Sequence, residues 1–109
     1  MLPTGNGKFL IYASGFRKQN ERLKVVGSAV ARVAENLQFN IEVLLKRQSL
    51  SIYVYYKNER DGEEIPVYCD WGKNWKEEDI YHAVRSVMFT LSFHPRYSIL
   101  QAMRERLFS

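Results

Sequence analysis

The strongest constraint in the sequence is a pair of alternating segments between Leu50 and Trp71 that meet at Asp61-Gly62. An Asp-Gly pair tolerates positive φ and therefore favours a two-residue hairpin turn. This turn places the apolar side chains of both strands on one face, because a slip of one residue would send each to the opposite side. The predicted cross-strand pairs are Tyr56 with Val67, Val54 with Cys69 and Ile52 with Trp71.

The other face of this hairpin is predicted to be rich in tyrosine. By the same alternation, Tyr53 and Tyr55 are neighbours on one strand, and Tyr68 pairs with Tyr55 from the other strand. Lysines flank the cluster at Lys46 and Lys57. Aromatic rings on an exposed sheet, surrounded by cations, are how many proteins stack unpaired bases and neutralise phosphates.

A further strand is predicted from about Asn40 to Arg47, where Ile41, Val43 and Leu45 alternate with other residues. A tight connection near Gln48-Ser49 would pair this strand with the hairpin and extend its apolar face. The result is a three-stranded antiparallel meander. Pro66 cannot donate a ladder hydrogen bond, which suits a third strand at the edge of the sheet.

Helices are predicted before and after the meander in the sequence. Valines and leucines recur at helical spacing from Arg22 to Gln38. A second helix begins near Glu77, where Asn74 and Glu77 approximate a capping box, and His94-Pro95 ends or kinks it. A last helix is predicted from about Arg96 to Phe108. The apolar run Phe9 to Ala13 is compatible with either a strand or a helix.

The predicted fold is therefore α+β, with an N-terminal helix, a three-stranded antiparallel meander, two C-terminal helices and a possible extra strand at residues 9–13. A chain of 109 residues has room for one domain, placed at 9–109 after a flexible leader at 1–8. No apolar run is long enough for a membrane span, and no secretory signal is evident. The single cysteine excludes an internal disulfide, so we expect a reducing, cytoplasmic setting.

Charge is distributed unevenly along the chain. The net charge is +4, but residues 1–57 contain nine basic and three acidic side chains, whereas residues 58–109 contain seven and nine. Such asymmetry is typical of a nucleic-acid footprint, and equally of self-association between oppositely charged surfaces. The basic residues expected to contact a phosphate backbone are Arg17, Lys18, Arg22, Lys24, Lys46 and Lys57.

Catalysis and metal binding are not expected. Cys69 is predicted to point into the core, where a thiol behaves as a small hydrophobe, and its spacing from His82 and His94 is not specific. One cysteine and two histidines do not supply a recognisable zinc site. We therefore expect a protein that is not an enzyme and has no cofactor.

The leading hypothesis is a small protein that binds single-stranded nucleic acid through Tyr53, Tyr55 and Tyr68, with the basic side chains holding the backbone. The alternative is an adaptor or assembly protein that uses the same tyrosines, and the acidic hairpin loop, to bind another protein or a second copy. A third interpretation is structural: one of the helices covers this face, and the tyrosines are packed with their hydroxyls at its rim. The residues do not identify a known family.

Overall fold

A computed structural model describes residues 7–15, 17–46, 51–58, 62–70, 75–95, 97, 100, 101 and 104. Within these residues, four strands form one mixed sheet and two α-helices pack against it. The elements in chain order are β1 (Lys8–Ala13), a short 3-10 turn (Arg17–Gln19), α1 (Asn20–Leu37), β2 (Asn40–Leu45), β3 (Ile52–Lys57), β4 (Glu64–Asp70) and α2 (Glu77–Leu91).

The predicted three-stranded meander is wrong, because β1 lies between β2 and β3. The strand order is β2-β1-β3-β4, in which β1 runs parallel to β2 and antiparallel to β3. The ambiguous apolar run is thus a central strand, and its Phe9, Leu10 and Ile11 are all buried. Leu10 is buried although it lies on the opposite side from Phe9 and Ile11, so the apolar residues of β1 are continuous rather than alternating, which is why periodicity did not identify the strand.

Helix α1 makes the parallel pairing possible. Parallel neighbours require a long crossover, and α1 supplies it between the end of β1 and the start of β2. The helix ends at Leu37, and its C-cap residue Gln38 adopts the left-handed conformation and donates its N–H to the carbonyls of Ala34 and Glu35. β2 and β3 are therefore not neighbours in the sheet, and the predicted pairing between them is wrong. The connection predicted near Gln48-Ser49 lies outside the described residues.

The hairpin exists, but its predicted register is wrong. Asn58 N–H donates to Glu63 O at 2.9 Å, so the loop is wider than the two residues expected at Asp61-Gly62. Tyr56 pairs with Ile65 instead of Val67, and a β-bulge follows between Val54 and Tyr55. The bulge inserts an extra residue into β4. The residues that follow it, from Tyr68 to Asp70, therefore point to the faces opposite to those predicted.

Both helices lie on one face of the sheet, which we call the helix face. Its core contains the alternate residues of the central strands, Phe9 and Ile11 from β1 and Val54 and Tyr56 from β3. The helices contribute the following buried residues: Val26, Ala29, Val30, Val33, Ala34, Leu37, Ile80, Tyr81, Val84 and Met88.

The C-terminal prediction of two helices is also contradicted. After β4, α2 is the one complete helix among the described residues, and it ends at Leu91, just before the predicted His94-Pro95 stop. The predicted last helix at 96–108 falls mostly outside those residues. Asn74 also lies outside them, and the observed N-terminal bond joins Lys76 N–H to Asp79 Oδ2 at 3.2 Å. Lys8, predicted to belong to the leader, is the first residue of β1.

Candidate functional site

The face of the sheet opposite the helices carries three tyrosines on its two central strands. Tyr12 of β1 pairs with Tyr53 of β3, and Tyr55 is the next residue of β3 with the same orientation. All three are half-buried, whereas their neighbours in sequence on the helix face are fully buried. We call this surface the open face, because neither α1 nor α2 contributes to it in the described part of the chain.

The tyrosines of the open face contact one another and a lysine. The Tyr12 and Tyr55 rings meet edge to face, with centroids 5.4 Å apart and an interplanar angle of 85°. Lys46 Nζ lies 4.5 Å from the centroid of the Tyr12 ring, within cation–π range. The rings of Tyr12 and Tyr55 are therefore held in place, while part of each side chain remains exposed.

Tyr12 is also held at its hydroxyl. Its O–H donates to Glu64 Oε1 at 2.6 Å, reaching from β1 to the far edge strand β4. This hydrogen bond to a carboxylate, together with partial burial, raises the pKa of Tyr12 to about 12. The phenol therefore stays protonated and acts as a donor throughout the physiological range.

Charged groups of both signs surround the tyrosines. Lys8 Nζ forms an ion pair with Glu42 Oε2 at 3.0 Å on the β1–β2 side of the face. On the opposite side, Lys57 pairs in register with Glu64 across β3 and β4. The open face thus presents three lysines, at 8, 46 and 57, alongside two carboxylates.

The predicted position of Tyr68 beside Tyr55 is wrong. Because of the bulge, Tyr68 pairs with the core residue Val54, and Tyr55 instead faces Pro66. Tyr68 O–H donates to Asp70 Oδ1 at 2.7 Å on the helix face. Burial, followed by this hydrogen bond, raises the pKa of Tyr68 above its usual value. Tyr68 is therefore a structural residue rather than part of the open face.

Arg22 also belongs to the helix face. Its Nε and Nη2 donate to the two carboxylate oxygens of Asp70 at 2.9 and 2.8 Å, and its Nη1 donates to Trp75 O at 2.8 Å. The Asp70 side chain is only 2% exposed. This bidentate ion pair links α1 to the end of β4. Because its guanidinium is bound to Asp70 on the helix face, Arg22 does not contribute to the open face.

The remaining predicted phosphate contacts divide between two parts of the fold. Lys46 and Lys57 lie on the open face with Tyr53 and Tyr55. The other basic residues belong to the 3-10 turn, which holds Arg17 and Lys18, and to α1, where Lys24 is exposed. Arg17, Lys18 and Lys24 therefore come from elements other than the strands that form the open face.

Tyr12 and Lys8 are residues of the open face that sequence reasoning missed. Both belong to β1, whose apolar run does not distinguish a strand from a helix. A usable signal was present in hindsight, since Tyr12 interrupts the buried run FLIYA with a side chain that carries a polar end.

Cys69 does not point into the core as predicted. It pairs with Tyr53 across β3 and β4, is partly exposed, and shares the open face. The described residues contain no group of three histidine, cysteine or carboxylate side chains placed to hold a metal ion. Neither helix in the described ranges combines the length and apolar composition needed to cross a bilayer.

The open face combines aromatic rings from the two central strands with charged side chains of both signs around them. Comparisons with other proteins add no assignment. The chain matches no protein-family model, and searches of curated proteins and of solved structures give no match.

Proposed function

We propose that the protein binds single-stranded nucleic acid through the open face, with Tyr12, Tyr53 and Tyr55 stacking on bases. The observation that carries the proposal is the position of these tyrosines on the two central strands, on the side of the sheet away from both helices. Sheets that recognise unpaired bases present aromatic side chains in this way.

The cations of the open face support the same function. Lys8, Lys46 and Lys57 stand at its borders, where a backbone that follows stacked bases would run. Each base stacked on an aromatic ring contributes about 1–3 kcal/mol, so a face with three rings suffices for a short oligonucleotide. Arg22 and Tyr68 are not part of this proposal, because Asp70 engages both.

The test is a titration of fluorescently labelled single-stranded oligonucleotides at two salt concentrations, with duplexes of the same sequence for comparison. We expect single strands to bind more tightly than duplexes and their affinity to fall as salt rises, because neutralised phosphates release counterions. Tyr55→Ala should weaken binding by about tenfold through the loss of one stacking contact. Absence of binding to any oligonucleotide at low salt would overturn the proposal.

Matched lysine variants separate the open face from general electrostatic attraction. Lys57→Ala removes a cation from the open face, whereas Lys24→Ala removes an exposed cation from α1. We expect Lys57→Ala to weaken binding and lower the salt dependence, and Lys24→Ala to change neither. Equal effects of the two variants would show that binding depends on net charge and not on the open face.

A second candidate function is binding of another protein through the same face. The observation that favours it is the presence of Glu42 and Glu64 among the lysines, because carboxylates repel phosphate but suit a partner with charges of both signs. Such an interface would depend less on salt than nucleic-acid binding does. Loss of partner capture in Tyr55→Ala, without oligonucleotide binding by the unmodified chain, would support this candidate.

A further inference from the structure

The outer edge of β2 is an open sheet edge with exposed apolar side chains. Among the described residues, β2 pairs with β1 and with no strand on its other side. Val43 is 48% exposed and Leu45 is 66% exposed, although both face the helix side of the sheet. Proteins usually protect such edges, since unpaired backbone groups beside apolar side chains promote pairing with another strand.

The backbone of β2 is oriented for this pairing. Lys46 N–H donates to Ala13 O at 2.6 Å, so Lys46 directs its N–H toward β1. Alternate residues of a strand direct their backbone groups to the same neighbour, which places those of Leu44 on the β1 side as well. The N–H and C=O groups of Val43 and Leu45 therefore point away from β1, toward the open edge.

The sequence of β2 is complementary to itself when two copies run antiparallel about Leu44. In that register Val43 faces Leu45 of the second copy, and Glu42 faces Lys46 of the second copy. The apolar pairs lie on the helix side, and the charged pairs lie on the open-face side next to Leu44. Each Val43–Leu45 pair has both residues directed outward, as a hydrogen-bonded antiparallel pair requires.

Neighbouring registers lack this complementarity. Centring the pair on Val43 places Glu42 opposite Leu44, and centring it on Glu42 brings two like charges together, which is destabilising. A slip of a single residue would set outward-directed backbone groups against inward-directed ones. Backbone direction thus excludes the single-residue slips, and charge favours the Leu44-centred register among those that remain.

We propose that the protein forms a two-fold symmetric homodimer through β2, joining two four-stranded sheets into one continuous sheet. The interface is isologous, since the same strand contributes to both sides. It is distinct from the open face, and its test requires no ligand. The dimer would set the two open faces side by side on the same surface of the joined sheet.

The first test uses proline to block the edge without disturbing β1. Proline is tolerated where the missing N–H would face solvent, so Val43→Pro removes an outward donor but no bond to β1. Sedimentation equilibrium over a concentration series should show a dimer for the unmodified chain and a monomer for Val43→Pro, with unchanged circular dichroism. A monomer at every concentration of the unmodified chain, or a dimer that persists in folded Val43→Pro, overturns the proposal.

The second test uses charge exchange, which remains informative if the proline variant does not fold. Glu42→Lys and Lys46→Glu each place like charges opposite one another, and should weaken self-association by about tenfold or more. Mixing the two variants restores both charge pairs, so the mixture should dimerise as the unmodified chain does. Failure of the mixture to recover would contradict the Leu44-centred register.

Two control variants distinguish this interface from association through the open face. Lys57→Glu reverses a charge on β3, far from the β2 edge, and Tyr55→Ala removes a ring from the open face. Both should leave the dimer intact. If Tyr55→Ala abolishes the dimer while Val43→Pro does not, the copies meet through their open faces and the β2 proposal is wrong.

Discussion

The two faces of the sheet use the same residue type for different purposes. On the helix face, Tyr56 is fully buried and stacks on Phe39, with centroids 5.6 Å apart and planes within 9° of parallel. On the open face, Tyr55 is half-buried and meets Tyr12 edge to face. The difference follows from strand alternation, since adjacent residues of β3 point to opposite sides.

The ion pairs of the two faces also differ in how deeply they are buried. Arg22 and Asp70 join α1 to β4 through a carboxylate that is almost fully buried, while Lys8 and Glu42 are paired at the surface, with side chains 28% and 47% exposed. A buried charge depends on its partner, because water cannot replace it, whereas an exposed pair contributes little. Stability is therefore expected to depend on the helix face and binding on the open face.

The largest difference between the faces should appear in the variants Ile11→Ala and Tyr12→Ala on β1. Ile11 is fully buried on the helix face, and its truncation should lower the free energy of unfolding by about 4 kcal/mol. Tyr12→Ala should cost less, because its ring is partly exposed. Urea denaturation of both variants measures the difference; equal losses would show that the open face is as important for folding as the core.

The next largest effect is expected for Arg22→Ala. Removing the guanidinium leaves Asp70 buried with Tyr68 as a remaining partner, which should destabilise the fold by about 3 kcal/mol. Arg32→Ala is the matched control, because Arg32 also crosses between elements, to Glu77 and Glu78, but its pairs are exposed. Thermal or urea unfolding should show a clearly smaller loss for the control, and a reversed order would contradict the account of Asp70.

A smaller effect is expected where the helix face leaves no room for a side chain. Gly7 has φ of +125°, and a Cβ there would lie 2.8 Å from Cε1 of Tyr56, so Gly7→Ala should cost about 2 kcal/mol. Gly62→Ala is the control, because φ is +73° but no atom lies within 4 Å of the added Cβ. Its cost should be about 1 kcal/mol, from strain alone. Chemical denaturation measures both costs; equal losses in the two variants would contradict both the greater backbone strain at φ of +125° and the crowding against Tyr56.

The smallest expected effect on stability is a pH dependence on the open face. The pKa of Tyr12 is about 12 in the folded protein and 10.0 without its surroundings, so folding favours the protonated phenol. This contribution is fully present below pH 10 and is lost as pH rises from 10 toward 12. Glu64→Gln should lower the pKa of Tyr12 toward 10 and remove this part of the alkaline loss. Ultraviolet titration of tyrosinate, with unfolding measured across the same range, checks both; an unchanged titration in Glu64→Gln would contradict the assigned hydrogen bond.

The amphipathic helix and the position of Tyr53 and Tyr55 on the side of β3 opposite Val54 and Tyr56 could be predicted, because both depend on local periodicity. The helix expected at 22–38 is observed at Asn20–Leu37, and the strand expected at 40–47 is observed at Asn40–Leu45. The position of Tyr68 could not be predicted in this way. A bulge changes strand parity by one residue, and no residue in β4 marks it as strongly as Asp-Gly marks a turn.

The sequence by itself determined α1, β2, β3, β4 and α2 to within a few residues, and which side of β3 is apolar, because these properties depend on the spacing of neighbouring residues. It left β1 open between strand and helix. Only the tertiary structure decided that β1 lies between β2 and β3, that Tyr12 is on the open face and that Arg22 forms an ion pair with Asp70. Strand order and partner choice depend on burying an entire apolar run between distant segments, so no local pattern of residues specifies them.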